Sequence, residues 1–156
     1  MTDDDLMAGQ PTPAALRALS SRTLSLVAMQ SDRMVNEGLA RLDARKWHYA
    51  ALMALREGGP ASQAELSRRT GIHRSDLVAV INELAERGHV ERSPDPADRR
   101  RNVVRLTERG RDHLARLQEV VMSLQDELLT PLTPAEREQF SDLLIRIYEH
   151  HARRRT

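Results

Sequence analysis

The sequence contains no cysteine. That excludes thiol catalysis, thiol-based redox sensing, disulfides and any thiolate metal site, and it fits a reducing compartment. It also lacks any apolar run approaching the roughly 20 residues that cross a membrane as a helix. The first residues, Met1-Thr2-Asp3-Asp4-Asp5, are acidic where a secretory signal would be basic and then apolar. The expectation is a cytoplasmic protein with no membrane partner. No hydrolase, phosphate-loop or dinucleotide signature occurs, so neither a catalytic residue nor a cofactor is expected. The formal net charge is only +1, which is silent about polyanionic partners. Lys46 is the only lysine. The arginine preference suits phosphates and base edges, and a GC-rich coding sequence would produce it equally well.

What is present is organised locally. With 156 residues the chain has room for one ordinary domain with a real core. Residues 1–12 carry acidic residues, Gly and Pro without periodicity and read as a flexible tail. From Pro13, the residues Leu16, Leu19, Val27, Met34, Val35, Leu39 and Leu42 fall at broadly helical spacing. Asp43 is placed to cap a second helix, in which Trp47, Ala51 and Leu55 share a stripe and which Gly58-Gly59-Pro60 stops. Ser62-Gln63-Ala64-Glu65 reads as a capping box opening a short helix that ends at Gly71. His73 starts the next helix, where Leu77, Val80, Ile81 and Leu84 form one buried face before Gly88. Two helices joined by a tight glycine-containing turn make a helix-turn-helix.

Beyond it, Val90-Glu91-Arg92 reads as a strand, Ser93 to Asp98 as turn chemistry, and Asn102 to Leu106 as a second strand. This hairpin is where charge concentrates: from Arg92 to Arg105 there are five arginines against two aspartates, a local net charge of +3. Thr107 caps a long helix, on the order of 35 Å, whose Leu114, Leu117, Val121, Leu124 and Leu128 step by three and four, the seam of a helix packed on another helix. That seam serves either an intramolecular core or a dimer surface, or each along part of its length. Thr133-Pro134-Ala135-Glu136 is a second capping box. It opens a last helix with Phe140, Leu143, Leu144, Ile147 and Tyr148 on one face. The pattern predicts a mainly α protein of six helices, with a small β-hairpin after the fourth.

The run Ala64 to Ile72, the run Leu77 to Arg92, and Asp95-Pro96-Ala97-Asp98-Arg99-Arg100 followed by Leu106-Thr107-Glu108-Arg109-Gly110 resemble the MarR family of winged helix-turn-helix regulators. The last pair is similar to that family's D-P-x-D-R-R…L-T-x-x-G signature. By motif the resemblance covers residues 45–115. It implies an α+β winged helix-turn-helix fold in an intertwined homodimer. Residues 45–107 would form the DNA-binding lobe, and 13–44 with 108–156 would supply the dimerisation helices. It further implies a transcriptional regulator on a pseudo-palindromic double-stranded operator, with the two lobes spaced by about one helical turn of DNA. The expected output is repression released by a small aromatic or phenolic effector. A winged-helix module for protein–protein contact, and a metal-responsive regulator, are the alternatives.

Candidate contact residues follow from the resemblance. On the recognition helix they are His73, Arg74, Ser75, Asp76 and Ala79, with Arg74 suited to guanine or phosphate. A solvated helix start, with Asp76 favoured by the N-terminal dipole, is the plainer account of these residues. Val78 and Ala79 stand where polar readers are common, which points to fewer base hydrogen bonds or to contact with a thymine methyl. In the wing the resemblance gives Asp98 an ion pair that shapes the hairpin, and Arg99 or Arg100, beside Arg101, insertion into a minor groove. Ser62, Arg68 and Arg69 are expected to contact phosphates. Trp47, His48 and Ala51 are candidates for an effector cleft, with a plain core position as the other reading of Trp47. His113 with Glu119, and His150 with His151, lack the i, i+4 pairing of a zinc site, so no metal is expected.

Overall fold

The computed structural model describes residues 13–155. The expected tail, residues 1–12, lies outside the described residues. Seven α-helices and one hairpin follow in order: α1 (Ala14–Arg17), α2 (Ser20–Ala40), α3 (Lys46–Gly58), α4 (Gln63–Thr70), α5 (Arg74–Glu86), β1 (Val90–Pro94), β2 (Asn102–Leu106), α6 (Glu108–Leu128) and α7 (Pro134–Ala152), with a 3-10 turn over Arg153–Arg155. The count exceeds the expected six because the first helix divides. Leu19 is extended (φ −82°, ψ 103°) and separates a single turn from the 21-residue α2. No glycine or proline marks that break, so periodicity runs through it unnoticed. None of the described helices is long and apolar enough to cross a membrane.

The core gathers the buried faces of α3, α4 and α5 with one end each of α2 and α6. Leu39, Leu52, Leu66, Leu77, Ile81, Leu84, Leu114 and Leu117 are its largest fully buried aliphatic side chains. The α6 seam therefore divides: Leu114 and Leu117 belong to this core, whereas Val121, Leu124 and Leu128 are only partly covered. On α2 only Gly38 and Leu39 are buried, and on α7 no residue is. Leu24, Val27, Leu143 and Ile147 are exposed apolar residues on these two helices. With Phe140 and Leu144 they line one groove between the start of α2 and α7.

Local chemistry sets most boundaries. Ser62 Oγ accepts the Glu65 N–H at 3.2 Å, Thr107 Oγ1 the Gly110 N–H at 3.0 Å, and Thr133 Oγ1 the Glu136 N–H at 3.3 Å. The capping box at Thr133 is complete, since Glu136 accepts from the Thr133 N–H at 2.8 Å. At Ser62 it is half-made, because Glu65 turns to pair with Arg69 instead. Asp43 does not cap α3. It sits in a left-handed turn (φ 54°), and the N-cap is Arg45, whose N–H donates to His48 Nδ1 at 3.0 Å. Gly71 ends α4 at φ 71°, ψ 5°, a conformation that costs glycine little and directs the chain into α5.

The hairpin is antiparallel, with Val90 opposite Leu106 and Pro94 opposite Asn102. Ser93 and Pro94, expected in the turn, thus belong to β1; proline is tolerated there because β1 is an edge strand. A third segment was not anticipated. Ala61 bridges Val104 through paired backbone bonds of 3.1 and 2.8 Å, tying the start of the helix-turn-helix to the wing.

Candidate nucleic-acid interface

The recognition helix α5 buries Leu77, Val80, Ile81 and Leu84. Its other side exposes Arg74, Ser75, Asp76, Val78, Ala79 and Asn82. His73 is the N-cap: its Nδ1 accepts from the Ser75 N–H at 3.4 Å and lies 2.8 Å from Ser75 Oγ. Its Nε2 makes no hydrogen bond with the described residues. The structure thus spends part of Ser75 on holding its neighbour.

At the wing tip, Asp95 Oδ1 accepts the Ala97 N–H at 2.9 Å and Asp98 Oδ1 the Arg100 N–H at 3.1 Å. The Arg101 N–H returns to the Asp98 carbonyl at 2.9 Å. Asp98 shapes the hairpin by these bonds and by an ion pair with Arg101, Nε to Oδ2, at 3.8 Å. Arg99 and Arg100 are exposed, and their side chains form no hydrogen bond or ion pair with the described residues. Two guanidinium groups without a partner among the described residues are left at the tip of a two-stranded projection.

Between helix-turn-helix and wing, Ser62, Arg68, Arg74 and Arg101 line a single open groove. An adjoining depression adds Arg105, which the sequence reading counted in the basic window but not among the site residues. The signal was available in principle, because Arg105 is an exposed position of β2 between buried Val104 and Leu106. Arg69, also expected at phosphates, is placed differently from Arg68. It turns away from this groove, pairs with Glu65 and donates to the Gly59 carbonyl at 3.2 Å, so its fork is already occupied in fastening α4 to the end of α3.

The cleft candidates separate. Trp47 is 44% exposed, so the core reading of it fails in the single chain. His48 and Ala51 are buried within the lobe. His48 instead belongs to a group that the sequence did not reveal. Its Nε2 lies 2.6 Å from Glu83 Oε2, and Glu83 also accepts from Arg45 Nη2 at 2.8 and 2.7 Å. With Nδ1 accepting from the backbone, His48 is neutral and donates through Nε2. Burial lowers its pKa, while the Glu83 hydrogen bond works the other way. The Arg45 guanidinium holds the Glu83 carboxyl below its ordinary range. The group links the start of α3 to the back of the recognition helix. From the wing side, Arg92 donates to Asn82 Oδ1 on α5.

A further buried pair lies behind the wing. The His89 and His113 rings stack with centroids 4.1 Å apart and planes 10° from parallel. Burial, then the neighbouring His113, lowers His89 to about 4, and burial likewise lowers His113. Among the described residues no group of three or more His, Asp or Glu side chains is placed to hold a metal ion.

Helix-turn-helix, bridging strand and arginine-tipped hairpin together define a winged helix-turn-helix protein. Residues 38–101 match the family model described as MarR family. A putative transcriptional regulatory protein for the hcr operon of Thauera aromatica is 34% identical over 100 residues. That match takes in 64% of this chain, and the chain spans 60% of the length of that relative. Among solved structures, a mutant MarR from E. coli complexed with operator DNA is 28% identical at a TM-score of 0.71, over 81% of this chain and 91% of that one. CouR from Rhodococcus jostii bound to p-coumaroyl-CoA is 27% identical at a TM-score of 0.72, over 86% and 94% of the two chains. The winged lobe of the chain is thus similar to the MarR family, and its fold is shared with solved MarR structures.

Proposed function

We propose that this protein is a sequence-specific, double-stranded-DNA-binding transcriptional regulator, without enzymatic activity, that acts as a homodimer in the cytoplasm. One observation carries the reading. Ser62, Arg68, Arg74 and Arg101 share a groove flanked by the exposed side of α5 and by a wing tip that presents Arg99 and Arg100 without partners among the described residues. Convex helix, basic groove and cationic finger match in turn a major groove, the phosphate ridge beside it, and a minor groove whose narrowness concentrates negative potential. The likeness to a MarR structure complexed with operator DNA supports the same docking.

The dimer follows from surface left over. Leu24, Val27, Leu143 and Ile147 expose contiguous apolar area on helices that contribute almost nothing to the lobe core. A second copy of the chain buries this area and pairs two lobes on a pseudo-palindromic site. Repression follows if the operator overlaps a promoter. An aromatic or phenolic effector then acts by binding more tightly to a dimer whose lobes are out of register with the groove. The CouR complex with p-coumaroyl-CoA supports this class of ligand. Exposed Trp47 is the residue of the three cleft candidates that remains free to meet one. The test is an electrophoretic shift assay on DNA flanking the gene, with random DNA as competitor, for wild type, Arg99→Ala and Arg100→Ala. Selective binding that at least one substitution weakens is expected. Binding indistinguishable from that to random DNA, or unaffected by both changes, sinks the proposal.

A further inference from the structure

Successive residues of an α-helix are rotated by about 100°, which places Ser75, Val78, Ala79 and Asn82 within about 100° of one another, opposite the buried Leu77, Ile81 and Leu84. All four are exposed, and Val78 is 45% exposed. This outward surface is unusual in being mostly apolar or already engaged. Ser75 is tied to the His73 ring. The Asn82 carbonyl oxygen accepts from Arg92, so the paired acceptor and donor by which an asparagine grips adenine is partly used up. Ala79 has no polar atom. Val78 meanwhile contributes nothing visible to the fold: it is absent from the core, and a β-branched residue is a poorer helix former than alanine at an exposed position.

A valine in that place, flanked by Arg74 and by the basic groove, has one chemically fitting target on a duplex. The major-groove edge of thymine carries a 5-methyl group, the apolar feature of the four standard base pairs. We propose that Val78 is a specificity-determining residue that reads a thymine in each half-site through its methyl group. Arg74, one turn earlier on the same edge of the helix, fixes register on a neighbouring guanine or phosphate. This inference rests on the DNA-binding reading above and adds to it the base and the atom recognised.

Deoxyuridine pairs as thymine does and lacks only that methyl. Duplexes are recovered from a random pool by the full-length wild type, and each thymine is then replaced singly by deoxyuridine. Wild type and Val78→Ala are titrated against every duplex. The expected result is one thymine per half-site at which wild type loses about fourfold in affinity, the value of one buried methyl-sized contact. Val78→Ala binds the thymine and deoxyuridine duplexes equally, and Val78→Ile restores the discrimination. If no sequence is enriched at all, the DNA-binding reading falls and this inference falls with it. If sequences are enriched but no thymine is methyl-sensitive, or the sensitivity survives in Val78→Ala, the DNA-binding reading stands and the role of Val78 is refuted.

Discussion

Gly110→Ala separates a packing requirement from a loose family signature. A Cβ built on Gly110 lies 2.0 Å from the His89 carbonyl oxygen, 2.9 Å from its carbon and 2.9 Å from Leu106 Cδ1. The first two are backbone atoms, and that carbonyl is already held by the Thr107 N–H at 3.1 Å. Relief therefore requires moving the start of α6 away from the entry to β1, the joint between long helix and wing. Overpacking of this kind costs about 1–3 kcal/mol and sometimes more. Alanine returns about 1 kcal/mol of helix propensity. Because the clash is with backbone, the upper end applies, and the net loss is about 2 kcal/mol. That corresponds to a melting temperature about 4–8 °C lower for a chain of this size. Gly38→Ala is the control. Its nearest neighbours are Leu124 Cδ1 at 2.5 Å and Val120 Cγ1 at 3.1 Å, side-chain ends that can rotate away. It should stay within about 1 kcal/mol of wild type. Urea unfolding at one fixed protein concentration measures both, since a dimer's stability depends on concentration. A Gly110→Ala variant as stable as Gly38→Ala refutes the reasoning.

Acid should destabilise the fold through its buried imidazoles. His48, His89 and His113 titrate below 6.5 in the folded chain, so the unfolded chain binds their protons first as pH falls. Their contribution is complete above about pH 6.5 and is lost below it. For His89, lowered to about 4, the loss reaches about 2.5 kcal/mol at pH 4.5. Urea unfolding of His89→Gln should show a correspondingly shallower decline between pH 7 and 4.5; a slope equal to wild type contradicts the assignment. Glu83→Gln removes the carboxylate that takes both His48 and Arg45, and about 1 kcal/mol of stability is expected to go, reduced from a fully buried pair because Arg45 and Glu83 are partly solvated. No change in the urea midpoint would mean that solvent already does the work of this link.

What was legible in the sequence was what local chemistry specifies. Ser62, Thr107 and Thr133 cap their own helices, Gly71 needs its left-handed turn, and the 3-4 spacing of Leu77, Val80, Ile81 and Leu84 has one helical interpretation. The wing was legible because Asp95 and Asp98 fold the loop through their own neighbours. What stayed hidden depends on partners far apart in the chain. Glu83 meets His48 across 35 residues and Arg45 across 38. Ala61 pairs with Val104 by backbone alone, which leaves no mark on residue type. The helix break at Leu19 carries no glycine or proline, and Asp43 had the right side chain for a cap in a backbone conformation that forbids it. Arg68 and Arg69 look alike in sequence. Only the packing of α4 on α3 sends one into the basic groove and the other back to the Gly59 carbonyl.

The central claim is that the wing and the groove grip DNA, and the salt dependence of binding tests it most directly. Each phosphate neutralised contributes about one to the slope of log affinity against log salt. Two wing arginines in each of two protomers predict a slope shallower by up to about four for the Arg99→Ala, Arg100→Ala double variant than for wild type on one operator duplex. A wild-type slope near zero, or one that the double variant leaves unchanged, would contradict the account.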